Sequence, residues 1–549
     1  MKKALSVFCA FSLFIHSVPA HAFWPFGTDW AARCGELAGS PYEPNAKGKG
    51  VPLSEIDATK AIAACQSALD SAPDSAEIRY RLGRALVAGK KYQEALGPIR
   101  KAAEQGYASA QHLLGWMYYY GNGVTKELKV AFLWFRTAGE QRLSASELMV
   151  GEMYYVGLGV DKDLKEAFHW YQKAAEQGEA AAQHRLALMY IAGSGVAENK
   201  KEAFVWCRKA AEQGYTDAQA DLGVLYQLGT GVAQDPKEAV FWYRKAAEQG
   251  NSNAQFNLGG VYDKGIGVTQ DSKEAVTWYR KAAEQGNATA QNDLGAMYYN
   301  GTGVAKDTRE AVTWFLKSAA QRNIVAINNL ANHFSRDAQM SNSRQQAIDL
   351  LHALLGIKST STSASHKWEE AGDPRIMLAL GRILFAGGRA SRGDMDAADR
   401  FFGVAKNRGS KEAFLYEGDY AVSKFVFDRQ RGMSGDSHYD NAILFYRLAR
   451  DAGDRNLKEL AEQRIAALNE EKRQSPAKSG GPSINENALF GLLAIGAAIM
   501  VLGSQGSSGS SSQSSTQYSS DDMFREQRRD LCRHGRTFNN NAAIMFNCY

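Results

Sequence analysis

Proline is scarce in this 549-residue chain, 11 against 52 glycines, a balance that a repeated helical hairpin with glycine at each turn produces. Neither sign of charge dominates. Against 59 Asp and Glu stand 64 Lys and Arg, and a formal charge of +5 excludes the strong excess that nucleic acid or a strongly acidic partner would require. There is no His-Glu-x-x-His, no Gly-x-x-x-x-Gly-Lys-Ser/Thr, no Gly-x-Ser-x-Gly and no Cys-x-x-Cys, which argues against the common motif-bearing enzymes. Histidines are scattered, and His112, His169 and His184 read as surface or packed residues, so no metal or cofactor is expected. What is present is 45% hydrophobic and 11% aromatic residues, enough for a large core.

The N-terminus sets the expected compartment. Lys2 and Lys3 precede an apolar run from Ala4 to Val18 and then Ala20-His21-Ala22, the pattern of a secretory signal peptide over residues 1–22. Cleavage after Ala22 removes two lysines, and the exported chain would meet oxidising conditions. Cys9 lies in the apolar run without the small residues that precede a lipidated cysteine. Five cysteines remain. Pairing Cys34 with Cys65 and Cys532 with Cys548 closes one moderate loop at each end of the chain, although sequence alone leaves the connectivity open. Cys207 stands where sister segments carry Tyr or Phe and reads as a small buried hydrophobe.

Internal repetition is the strongest signal. Ala-Glu-Gln-Gly or a near variant begins at 103, 139, 175, 211, 247, 283 and 319, every 36 residues. Trp134, Trp170, Trp206, Trp242, Trp278 and Trp314 keep the same period, as does a Gly-x-Gly turn from Gly121/Gly123 to Gly301/Gly303.

One period shows the physics. Ala218, Leu222, Leu225 and Tyr226 recur at helical spacing in a helix A, which Gly229-Thr230-Gly231 ends with residues that tolerate positive φ. Asp235 is placed to cap a helix B, Pro236 takes its first position without losing a hydrogen bond, and Glu238 completes an acidic capping box. Ala239, Trp242, Tyr243 and Ala246 form the apolar stripe of helix B. A lone hairpin cannot bury such a face, so neighbours must stack.

The pattern Leu-Gly-x-Met-Tyr-x-x-Gly-x-Gly-Val, followed by Glu-Ala-x-x-Trp-Tyr-x-Lys-Ala-Ala-Glu-Gln-Gly, resembles the Sel-one-like repeat, a relative of the tetratricopeptide repeat. Six 36-residue copies tile 107–322, and a 34-residue tetratricopeptide-like unit over 73–106 lacks the Gly-x-Gly turn. Arg142 and Arg322 replace the final glycine, and Ala187 a helix A glycine. The resemblance implies an all-α fold, a right-handed superhelical solenoid of antiparallel helix hairpins.

Around the repeats, 23–72 reads as a disulfide-stapled N-terminal segment, 323–357 as a degenerate repeat, 358–371 as a linker and 372–470 as diverged helical hairpins, with helical periodicity over Ile376 to Phe385, Asp394 to Asn407, Lys411 to Phe427 and Asp440 to Leu468. A polar linker at 474–487 precedes an uncharged apolar segment, 488–503, whose 16 residues fall short of the ~20 that span a bilayer. It reads as a membrane-spanning, membrane-embedded, self-associating or packed segment. Residues 504–520 form a serine-rich, disordered low-complexity tail, followed by the cysteine-containing end, 521–549.

Comparing the six copies, Ala110, Gln111, Leu114, Met117 and Tyr118 mark nearly invariant columns, best explained by packing. The columns of His112, Trp116 and Tyr119 vary freely and share one face of helix A. Since helix A lines the concave side in proteins that this chain resembles, His112, Trp116, Tyr119, Tyr155, Leu188 and Ile191 are expected to form an apolar groove for a peptide, helix or extended segment. The competing reading is that these columns are merely exposed. The expected function is a non-enzymatic protein-protein interaction scaffold of the bacterial periplasm or cell envelope. The alternative is a secreted or surface protein that engages a host molecule.

Overall fold

A computed structural model describes residues 29–40, 50–336, 341–355, 373–385, 392–430, 436–453 and 455–474. The signal segment, the 358–371 linker, the 488–503 segment, the serine-rich tail and Cys532 and Cys548 lie outside the described residues. Among the described residues there are 23 α-helices, one 3-10 turn and no strand, and no helix is long and apolar enough to cross a membrane.

Two compact units divide between Gln234 and Asp235. The first holds α1 (Trp30–Ala38), α2 (Ala58–Ser71), α3 (Ala76–Ala88) and α4 (Tyr92–Glu104), then the repeat helices α5 (Ala108–Tyr120), α6 (Leu128–Glu140), α7 (Ser144–Val156), α8 (Leu164–Glu176), α9 (Ala180–Ala192), α10 (Lys200–Glu212) and α11 (Thr216–Leu228). The second begins with α12 (Pro236–Glu248), α13 (Ser252–Lys264), α14 (Ser272–Glu284), α15 (Ala288–Asn300), α16 (Thr308–Ala320) and α17 (Ile324–Arg336). It continues with α18 (Ser341–Leu355), α19 (Pro374–Phe385), α20 (Arg392–Asn407), α21 (Ala413–Gln430), α22 (Asp436–Ala452) and α23 (Arg455–Gln474). Among the repeats of each unit, consecutive helices pack as hairpins and each hairpin packs on the next, whereas α17 and α18 both pack against α19. The run expected to be helical from Asp440 to Leu468 is broken at Gly453, between α22 and α23.

Local chemistry explains the boundaries. Gly229 ends α11 at φ 69°, in the left-handed region that glycine enters without a Cβ clash. Asp235 then caps α12, one carboxylate oxygen accepting from the Lys237 and Glu238 amides at 3.0 and 3.1 Å. Glu238 returns no bond to Asp235, so the cap is one-sided. Inside most repeat hairpins an aromatic ring of helix B lies against a glycine of helix A, the exception being the α9/α10 hairpin, where Ala187 and Cys207 hold these positions. A Cβ on Gly259 would stand 2.7 Å from the Tyr279 ring, and one on Gly151 would stand 2.6 Å from Tyr171. Ala110, Leu114 and Met117 are buried, as the packing argument expects.

Glutamine accounts for the nearly invariant polar column, in which α7 alone of the six copies differs, with Glu147. Gln111 Nε2 donates to the Ala103 carbonyl at the end of α4, supplying a donor to a helix terminus, while Gln111 Oε1 accepts from Gln141 Nε2. Gln183 and Gln213 repeat this pair, and in the second unit Gln255–Gln285 and Gln291–Gln321 do so too. Cys207 is buried, its thiol donating to the Ala218 carbonyl, and burial pushes that thiol well above the ordinary range. At the N-terminal end Cys34 and Cys65 form the expected disulfide between α1 and α2, and buried Arg84 donates to the Ala38 and Val51 carbonyls.

Candidate partner-binding face

All six candidate groove residues lie on A helices of the first unit: His112, Trp116 and Tyr119 on α5, Tyr155 on α7, Leu188 and Ile191 on α9. Tyr119 is 7% exposed and the other five are half-buried. The structure brings the three α5 residues into one aromatic cluster. Trp116 meets Tyr119 edge-on at 5.4 Å and Phe135 at 5.3 Å, and His112 lies 5.4 Å from Phe135. Tyr155 packs with a separate cluster that includes Tyr171 and Leu186.

One member of the face was missed. Tyr120 stacks on Trp116 at 5.3 Å and 10° and is 48% exposed, so it carries the cluster outward. Its position four residues after Trp116 was the available signal. Deeper in the cluster, Trp116 Nε1 donates to His112 Nε2 at 3.0 Å and His112 Nδ1 lies 2.7 Å from Ser146 Oγ on α7. Burial lowers the His112 pKa to about 4 and keeps the ring neutral.

The variable columns are tied to one another across repeats, which their variability did not suggest. Arg185 on α9 donates to Glu152 on α7 at 2.5 Å, and His184 pairs with Asp221 on α11 at 2.7 Å. In the second unit Asn329 donates to Asn292 at 2.9 Å. These contacts join residues 33 to 37 positions apart, so a change in one repeat is constrained by its neighbour. The face therefore combines aromatic surface with stacking contacts. Among the described residues no group of three or more His, Cys, Asp or Glu could hold a metal ion.

Six consecutive segments, 108–143, 144–179, 180–215, 216–251, 252–287 and 288–323, match the Sel1 repeat. The chain belongs to the Sel1-repeat proteins. A tetratricopeptide-repeat match covers 53–114. Comparison with curated proteins gives no match. Among solved structures, a protective antigen of uropathogenic Escherichia coli with an SLR fold is 26% identical, with a TM-score of 0.53, over 83% of this chain and 99% of that one. A Sel1 repeat protein from Oxalobacter formigenes is 35% identical over 44% of this chain and 96% of that one, with a TM-score of 0.42. Helicobacter pylori cysteine rich protein B is 31% identical over 24% of this chain and 92% of that one, with a TM-score of 0.20. Sel1 and tetratricopeptide repeats generally mediate protein-protein interaction.

Proposed function

We propose that this Sel1-repeat protein is a non-enzymatic scaffold of the bacterial periplasm or cell envelope, binding a partner protein or peptide along the helix A face of its repeats. The observation that carries the reading is the Trp116–Tyr120 stack. Two large aromatic rings stand partly open on that face while His112, Phe135 and Tyr119 brace them from behind. Rigid aromatic surface of this kind binds peptides at low entropic cost. The disulfide Cys34–Cys65 and the N-terminal 1–22 pattern support export.

The second reading, a secreted or surface protein that engages a host molecule, draws support from the likeness to a protective antigen. Fractionation of cells expressing the full chain and a chain ending at Ser483 separates the two. Envelope retention supports the scaffold, release into the medium supports the alternative, and retention lost on truncation assigns it to sequence beyond Ser483.

Groove binding is tested in the full chain by site-specific photo-crosslinking. A photoreactive residue at Tyr120 or Ile191 should give a discrete adduct, and one at Leu133, 57% exposed on helix B, should not. Equal labelling from all three positions would sink the reading.

A further inference from the structure

The repeats contain one contact in two versions. In the first unit Glu152 on α7 receives the Arg185 guanidinium from α9, with Tyr171 of α8 near both. Three periods on, the same columns hold Gly260 on α13, Asp293 on α15 and Tyr279 on α14. The tyrosine is kept, the acid has become glycine and the base has become an acid. Where Glu152 fills its site, a Cβ on Gly260 would meet no atom within 4 Å other than Tyr279 Oη at 3.6 Å.

Asp293 beside this notch is half-buried and forms no ion pair among the described residues. Its neighbours on its own layer are amides that donate toward it. Asn292 Nδ2 donates to Asp293 Oδ1 at 2.9 Å, and Asn329 Nδ2 donates to Asn292 Oδ1 at 2.9 Å. Asp263 and Lys264 of α13 lie within electrostatic reach, the first pushing the carboxyl pKa up and the second pulling it down. The notch is thus an unfilled position beside a carboxylate that has one neutral donor and, among the described residues, no cation in contact.

We infer that the Gly260 notch receives an arginine side chain of a bound peptide, whose guanidinium pairs with Asp293 as Arg185 pairs with Glu152. A guanidinium fits because it is planar, is always charged and can meet a carboxylate through two N–H groups. The inference rests on the reading of the helix A face as the binding face, and it adds a side-chain preference in the second unit that the aromatic cluster of the first does not supply.

Two experiments on the full chain test it. The first supplies the guanidinium from within. Gly260→Arg should raise the denaturation midpoint more than the uncharged Gly260→Gln, and that difference should vanish when Asp293→Asn is added. An equal difference in both backgrounds would overturn the proposal. The second uses N-acetyl-arginine methylamide as probe and its citrulline counterpart as uncharged control, followed by saturation-transfer NMR. The arginine compound should bind with about tenfold preference, lost in Asp293→Asn and in Gly260→Arg and kept in Trp116→Ala. Equal binding of the two compounds, or binding that survives Asp293→Asn, would refute the notch. Crosslinking at Tyr120 that persists alongside a failed notch leaves the groove standing, and a notch that passes while crosslinking fails removes only the groove.

Discussion

Trp116 holds His112 in one tautomer. Because the indole Nε1–H donates to His112 Nε2, that nitrogen is an acceptor, and the ring proton sits on Nδ1, facing Ser146 Oγ. One histidine therefore links two turns of α5 and reaches the next repeat, on the condition that it stays neutral.

That condition makes stability pH-dependent. His112 has its pKa lowered from 6.5 to about 4 in the folded chain, so the unfolded chain binds more protons between these values. Stability from this group should be lost as pH falls from about 6.5 toward about 4. Urea midpoints at pH 7.5 and 5 should separate more for the native chain than for His112→Gln. Equal separations would exclude the effect.

Asp293 carries the opposite sign. Burial raises its pKa from 3.8 to about 6, so its contribution falls as pH rises through that window and stays low above it. Asp293→Asn should therefore stabilise the chain at pH 7 and lose that advantage near pH 4. Taken as differences from the native chain over the same range, the two variants should show slopes of opposite direction.

Glu152 and Arg185 predict a non-additive cycle. The Glu152 side chain is 6% exposed, and Arg185→Ala strands its carboxylate, a loss expected near 3 kcal/mol. Pairing Arg185→Met with Glu152→Gln removes both charges and should cost much less than the sum of the single changes. Additive losses would mean that the pair contributes little.

Glycine positions should rank by what surrounds them. Gly231 has φ 73° and an added Cβ would lie 1.9 Å from the Lys200 carbonyl oxygen, whereas Gly214, at φ 89°, has open space around it. Gly214→Ala should cost about 1–2 kcal/mol from backbone strain alone, and Gly231→Ala clearly more. Arg142 occupies the left-handed region at φ 65° where sister repeats carry glycine. Arg142→Gly should raise stability by about 1 kcal/mol, read from denaturant midpoints.

The Cys34–Cys65 bond closes a loop with a sequence separation of 31. Replacing both cysteines by serine should lower stability by about 3–4 kcal/mol, with local opening of α1 and α2 seen by hydrogen exchange before α5 is affected. Uniform loss of protection would show instead that this end unfolds together with the repeats.

Much of this architecture was legible because it depends on short-range chemistry. The 36-residue period, the turn at Gly229, the cap at Asp235 and the burial of Leu114 and Cys207 all follow from residues a few positions apart. Pairings between repeats were not legible. Glu152 and Arg185 meet only because two hairpins stack, and in a single sequence their columns look unconstrained. Tyr120 was passed over because its column also holds Val156, Ala192 and Asn300, which hid the one copy where it extends an aromatic stack. The break at Gly453 escaped for a related reason, since apolar spacing continues through it.

The second glycine of each Gly-x-Gly turn approaches the first carbonyl of the preceding helix B: Gly123 to Tyr92, Gly159 to Leu128, Gly195 to Leu164 and Gly231 to Lys200 in one unit, Gly267 to Pro236 and Gly303 to Ser272 in the other. The nearest atom in each of these approaches is a backbone carbonyl oxygen, so the step from one hairpin to the next does not depend on which side chains the faces display. Within each unit the repeats behave as a ruler with fixed divisions. Insertion or deletion of a whole division preserves every contact of this kind, while a change of any other length breaks one, and recognition can be rewritten on the faces without redrawing the scale.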